Sequence, residues 1–276
     1  MNRRGFVRAA GAGLWNVRAA SAAPPVIDTH IHLYDPARPE GVPWPPRTDA
    51  VLYRRVLPAD YEALVRPLGI TGAIVIEASP WLEDNQWLLE ITRDRPLFRG
   101  VIGHLQPGTP EFRIHLARFT SDRRFRGIRL GADALVKGAP QPAFLDDLRR
   151  LAAAGLTLDA LGNASMLAPL TAIAEKIPSL RIVIDHMPLE PPGWTPAAIR
   201  DLAAHPTVYA KISGVVRADL TRAPLDEVRS LFAPERLLYG SNWPVSERVA
   251  PYPAILAAVP EPARFTPNAI ACYGLL

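Results

Sequence analysis

The amino-acid sequence predicts an α/β chain folded as one (β/α)8 TIM barrel, and three observations carry that prediction. Short β-branched runs alternate with helix-like segments from residue 26 to residue 243, and eightfold alternation favours a closed barrel. No Gly-x-Gly-x-x-Gly or Walker-type loop follows any run, although a doubly wound nucleotide-binding sheet usually needs a glycine-rich first turn. Polar residues uncommon in strands gather at the C-terminal ends of the runs, where barrel chemistry resides.

The strand-like runs are VIDTHIHL (26–33), GAIVIEA (72–78), FRGVIGHL (98–105), FRGIRLG (125–131), LTLDALG (156–162), LRIVIDH (180–186), TVYAKISG (207–214) and RLLYGSNW (236–243). Between them DYEALVRPLG, PEFRIHLARFTSD, PAFLDDLRRLAAAG, MLAPLTAIAEKI, TPAAIRDLAAH and PLDEVRSLFA space apolar residues three and four apart, as helices do. Gly155 and Pro206 stand where two of these should stop. Residues 34–59 are proline-rich but carry Trp44 and Tyr53. Aromatics are scarce in disordered linkers, so the segment reads as an ordered loop over the barrel mouth. After the eighth run the chain is compact and proline-rich, and its pattern assigns no firm helices.

The formal charge of +4 on 276 residues is a property of the N-terminus. Arg3, Arg4, Arg8 and Arg18 lie among the first twenty residues with no acid beside them, and the remaining 27 basic residues match 27 acidic ones. A neutral body removes the main argument for nucleic-acid binding. The paired arginines, Phe6, an Ala/Gly-rich stretch and Ala20-Ser21-Ala22 resemble a twin-arginine export leader. Residues 1–23 are therefore either a leader, which would place the protein in the periplasm, or a basic tail on a cytoplasmic protein; residues 24–276 form the barrel domain. No apolar run approaches the ~18 residues needed to span a bilayer. Cys272 is the single cysteine, which excludes intrachain disulfides and cysteine metal clusters.

At the strand ends stand His30 and His32, Glu77, His104, Arg129, Asp159, His186, Lys211 with Ser213, and Asn242. His-x-His on a strand puts both imidazoles on one face about 7 Å apart, because side chains alternate and residues rise ~3.3 Å. Facing the mouth, the two rings can converge on one metal ion or one substrate. Arg129 either grips a substrate carboxylate or pairs with an acid. Glu77, His104 and Lys211 are candidate substrate contacts. Asp28 shares the parity of His30 and His32 one layer deeper, where Lys211 is its expected partner. Asp185, of opposite parity to His186, should face the helices. Trp44, Trp81 and Trp243 are read first as loop packing, and His115 and His205 as helix-surface residues.

The motifs IDTHIHLYDP, GVPWP, IVIDH, VYAKISG, LLYGSNWPV and PNAIACYGL, in this order from about residue 25 to the end, resemble the amidohydrolase-related hydrolases. The branch holding sugar-acid lactonases and 2-pyrone-4,6-dicarboxylate lactonase is the nearest in pattern. The resemblance implies a distorted, metal-dependent-hydrolase-like barrel whose site is built from His30, His32, His186 and an acid on the eighth strand. This chain departs from the pattern there, with Asn242 in place of the usual aspartate. A neutral amide can donate and accept hydrogen bonds but cannot take a proton from water. Two substitutes are open. His30, His32 and His186 could hold a divalent ion such as zinc that activates water without a carboxylate, with Asn242 orienting it. Alternatively one histidine is the base and Asn242 and Arg129 stabilise the oxyanion without a metal. The expected activity is hydrolysis of a lactone or related ester of a small sugar acid or dicarboxylate. The alternatives are a metal-dependent non-oxidative decarboxylase and a binding protein that has lost catalysis.

Overall fold

Parallel strands cannot be joined by tight hairpins, so each needs a long crossover, and the alternation in the sequence supplies one after every run. In the computed structural model, which describes residues 24–187, 195–216 and 225–275, eight strands form. They are β1 (Val26–Ile31), β2 (Ile70–Ile76), β3 (Phe98–Gly103), β4 (Phe125–Gly131), β5 (Thr157–Leu161), β6 (Arg181–Met187), β7 (Val208–Ile212) and β8 (Leu237–Tyr239). They pair in sequence order, β1 through β8, and every ladder is parallel. The barrel closes just past β8, where Ile31 bridges Trp243 and two hydrogen bonds cross the seam: His32 N to Trp243 O at 2.8 Å and Asn242 N to His30 O at 2.9 Å. The expected eighth strand is thus shortened to three residues, and its polar continuation forms the closure. The export-leader reading concerns residues 1–23, which lie outside the described residues.

The helices are α1 (Pro58–Val65), α2 (Leu82–Ile91), α3 (Phe112–Thr120), α4 (Ala132–Gly138), α5 (Pro142–Ala153), α6 (Leu167–Lys176), α7 (Pro196–Ala203), α8 (Leu225–Leu231), α9 (Tyr252–Ala258) and α10 (Thr266–Tyr273). Their ends follow the sequence: α7 starts on Pro196 with the Thr195 hydroxyl accepting from Ala198 N, and Gly155 beyond α5 takes φ +71°. The apolar spacing did not reveal α2, because two positions of its inner face are polar. Asp84 receives Arg38 at 2.7 Å, and Asn85 clamps the backbone of His104 with two 2.8 Å hydrogen bonds.

Two apolar layers result. One packs between strands and helices; the other fills the lumen, where Ile27, Ile74, Ile102, Val183 and Leu238 from β1, β2, β3, β6 and β8 meet Cys272 and Tyr273 of α10. Cys272 is a buried packing residue. The loop over the mouth is ordered: Tyr34 bridges Val56, its hydroxyl donates to Leu52 O, and Asp49 pairs with Arg248 beyond β8. Among the described residues no helix is long and apolar enough to cross a membrane.

The lumen parity corrects one expectation. Ile27 points inward, and the ladder of β1 slips between Asp28 and Ile31. Asp28 therefore faces the helices instead of Lys211. Its carboxylate accepts from the hydroxyls of Tyr61 on α1 and Tyr252 on α9, each at 2.9 Å, from Ser241 N at 2.9 Å and from His30 N at 3.1 Å. Removing one acceptor from four buried donors is costly. Asp28→Ala should lower the unfolding free energy by about 3 kcal/mol or more, and Asp28→Asn by less, as read from urea denaturation; equal stability of Asp28→Ala and the parent would refute the hub.

Candidate active site

The strand ends bring His30, His32 and His186 together. His30 and His32 lie edge to face with ring centroids 5.0 Å apart, and their Nε2 atoms are separated by 3.2 Å. His186 approaches His30 to 4.5 Å between centroids. His30 and His32 are buried, and Trp44 from the mouth loop packs edge-on to His32 at 5.8 Å. Trp44 thus lines the site, whereas Trp243 packs on Tyr61 and donates from Nε1 to Glu247 at 2.7 Å. Trp81 is partly exposed, at 38%.

Parity on β6 is the reverse of the expectation. Asp185 follows the inward series of Arg181 and Val183, and its Oδ1 lies 2.8 Å from Lys211 Nζ and 3.5 Å from His30 Nδ1. His186 is out of step and reaches the mouth because its backbone turns left-handed, with φ +61°, which interrupts the β6–β7 ladder between Ile184 and Met187. Asp185 is therefore a site residue that alternation alone assigns to the wrong face. The Asp-His dipeptide closing an apolar run was the available signal. Ser213 Oγ meets His186 Nδ1 at 2.8 Å.

Lys211 does not reach the mouth. It is wholly buried between Asp159 and Asp185, each 2.8 Å from Nζ, and so supports the site from below in place of the expected substrate contact. Arg129 pairs with Glu77: Nε meets Oε1 at 2.9 Å and Nη2 meets the Glu77 carbonyl at 2.6 Å. Of its two expected roles the ion pair is the one formed, and Glu77 is engaged by it. His104 is half-buried beside this pair and lines a cleft of about 640 Å³ with Gln106, Leu130, Lys137, Gln141 and Phe144. That volume lies within the range of small-molecule sites. His115 lies on α3 and His205 just after α7, both away from the cluster.

Asn242 also takes a left-handed backbone, φ +58°, and its Oδ1 is buried without a hydrogen-bond partner among the described residues. A buried unpaired acceptor in a polar cluster marks a place for a ligand or water. The histidines are held neutral. Burial pushes His30 well below its usual range and overrides Asp185 beside it. Burial and then Arg129 bring His32 to about 3. Burial, against the opposing pull of Asp185 and aided by Lys211 and Arg129, brings His186 to about 4. Neutral imidazole is the metal-binding form. The donor atoms of His30, Asp185 and His186 all lie within 4.8 Å of one another, with His32 Nε2 beside them, so these residues fit a divalent ion.

Depressed histidine values also set a pH dependence for folding. Between the unfolded value of 6.5 and the folded values of about 3 for His32 and about 4 for His186, the unfolded chain binds more protons. Acidification through that window therefore destabilises the native state. The urea midpoint of metal-free protein should fall from about pH 7 to about pH 5, with a shallower slope in His32→Gln; a midpoint that rises on acidification would contradict the burial of neutral rings.

Comparison with known proteins bears on this geometry. The sequence model of a family described as Amidohydrolase matches residues 27–272. The chain is 32% identical to an L-fucono-1,5-lactonase of Burkholderia ambifaria over 240 residues, 80% of each chain. Among solved structures it superposes on an amidohydrolase of Burkholderia multivorans with bound zinc at a TM-score of 0.80 and 24% identity, covering 91% of this chain and 99% of that one. It also superposes on a putative 2-pyrone-4,6-dicarboxylic acid hydrolase of Pseudomonas putida at 0.69 and 21% identity, covering 90% and 97%.

Proposed function

This chain belongs to the amidohydrolase family, and from that premise we propose that it is a metal-dependent lactonase that opens the ring ester of a small sugar acid with water. The observation that carries the reading is the convergence of three neutral imidazoles at the mouth of the barrel, with His30 and His32 Nε2 only 3.2 Å apart. Relatedness to an L-fucono-1,5-lactonase at 32% identity supports the substrate class.

His30, His32 and His186 would hold a divalent ion, zinc by preference for nitrogen donors, and such an ion lowers the pKa of water to about 7 and polarises a carbonyl. The chain's own residues supply the rest. Asn242 Oδ1, buried and unpartnered, accepts a hydrogen bond from the attacking water and orients it without competing for its proton. Arg129, fixed by Glu77, places a cation near the histidines where charge develops on the carbonyl oxygen. The water oxygen bonds to the carbonyl carbon and the ring C–O bond breaks; one water proton passes to the departing oxygen, which leaves as the alcohol, and the other stays on the new carboxyl group until it ionises. The cleft beside His104 offers room for the substrate's hydroxyls, and Trp44 covers the site from the loop side.

Metal-stripped protein reconstituted with zinc or manganese should hydrolyse members of a panel of sugar-acid lactones that includes L-fucono-1,5-lactone. His30→Ala and His186→Ala should each lower kcat/KM by at least about 100-fold, the scale of a lost water-activating group. Undiminished turnover in both variants would remove the assignment, and release of carbon dioxide from aromatic acids without lactone turnover would replace the lactonase by a decarboxylase. Asn242→Asp adds a titratable carboxylate at the water, so its pH profile should gain an acidic limb that the parent lacks.

A further inference from the structure

With an amide at position 242, the end of β8 contributes no carboxylate to the histidines. A carboxylate reaches them from β6 instead. Asp185 is fully buried, and its Oδ1 lies 3.5 Å from His30 Nδ1, longer than a formed hydrogen bond. Neither His30 Nδ1 nor Asp185 Oδ2 has a hydrogen-bond partner among the described residues. For His30 Nδ1 the carboxylate of Asp185 is the acceptor set against it, although Asp185 also pairs with Lys211, and a buried polar group left unpaired is costly. Behind Asp185, Lys211 Nζ lies 2.8 Å from Oδ1 and is held from the other side by Asp159 Oδ2 at 2.8 Å. Asp159 in turn accepts from Tyr273 OH at 2.9 Å and Thr157 Oγ1 at 3.0 Å. A buried polar line therefore runs from α10 at the closed end of the barrel to His30 at its mouth.

This line decides which nitrogen of His30 carries hydrogen. A carboxylate only accepts, so Nδ1 is the protonated atom and Nε2 keeps its lone pair. His32 is fixed in the same way, because its Nδ1 meets the Ile76 carbonyl at 3.0 Å. Two Nε2 lone pairs then face each other at 3.2 Å, which is repulsive unless a positive centre takes both.

We propose that Asp185 is a positioning residue that stands in for the absent eighth-strand carboxylate: through His30 Nδ1 it fixes the electron-donating tautomer and places a negative charge that strengthens the hold of the histidines on a divalent ion. The inference rests on the reading of this cluster as a metal-holding active site, but its first test needs neither metal nor turnover. Nitrogen-15 histidine NMR on metal-free, full-length protein near pH 8, with His30 assigned by its loss in His30→Asn, should show hydrogen on Nδ1. Hydrogen on Nε2 would overturn the proposal, and this measurement requires no variant at Asp185 to fold. Zinc affinity, measured by competition with a chelating dye, should fall by about 10–100-fold in Asp185→Ala. It should also fall in Asp185→Asn, which keeps the shape but not the charge. Parent-like affinity in a folded Asp185→Asn protein would remove the charge claim. Should lactones fail as substrates while the tautomer and the affinity losses hold, the proposed activity falls and the role of Asp185 stands.

Discussion

Lys211 is a wholly buried ammonium inside the barrel, and its need for counter-charge dictates the polar layout around it. An unpaired buried cation would cost several kcal/mol even after relaxation. The successive strands β5 and β6 each supply one carboxylate, Asp159 and Asp185, at 2.8 Å from Nζ. Burial pushes Asp185 up, but Lys211 and then His30 more than reverse this and hold it well below its usual range. The same ammonium contributes to keeping His30 and His186 neutral. The lysine needs space as well as charge. A Cβ on Gly240 would come within 3.1 Å of Lys211 Cγ and 2.8 Å of His30 Cβ, so only glycine lets β8 pass beside both.

A second carboxylate, Asp28, governs the seam where the barrel closes. It ties the backbone of His30 and Ser241 across the β1–β8 junction and anchors both to tyrosines of α1 and α9. Without that seam His30 and Asn242 would not share one end of the barrel, since their strands are the first and last in the chain. The two acids thus divide the work: Asp28 locks the frame from the helix side, while Asp185 acts from the lumen.

The architecture was legible because eight alternations leave few topologies, and strand-end polarity pointed to the histidine cluster. His30, His32 and His186 do meet, and the proline-rich loop is ordered and brings Trp44 onto His32. What sequence could not convey was parity. Strict alternation put Asp28 inside and Asp185 outside, and both assignments invert. The ladder slips after Asp28, and the inward phase on β6 belongs to the odd positions. His186 reaches the mouth only through a left-handed residue, which no period-two rule contains. Helix α2 escaped for a related reason, since Asp84 and Asn85 on its inner face serve Arg38 and His104 in place of apolar packing.

Left-handed backbone occurs at both His186 and Asn242, and the residue types that tolerate it best after glycine include Asn, Asp and His. Aspartate would therefore be accommodated by the backbone at position 242 as readily as asparagine, so conformation does not explain the amide. Charge bears on it. Asp159 and Asp185 already share a single lysine, and a further buried anion would need its own cation or set of donors. With Asn242 neutral, Asp185 is the carboxylate set beside His30 among the described residues, and the Asn242 amide oxygen has no hydrogen-bond partner there. The substitution in LLYGSNWPV is thus consistent with a site whose acid has moved from the eighth strand to the sixth, with no loss of the histidine geometry that the barrel was folded to present.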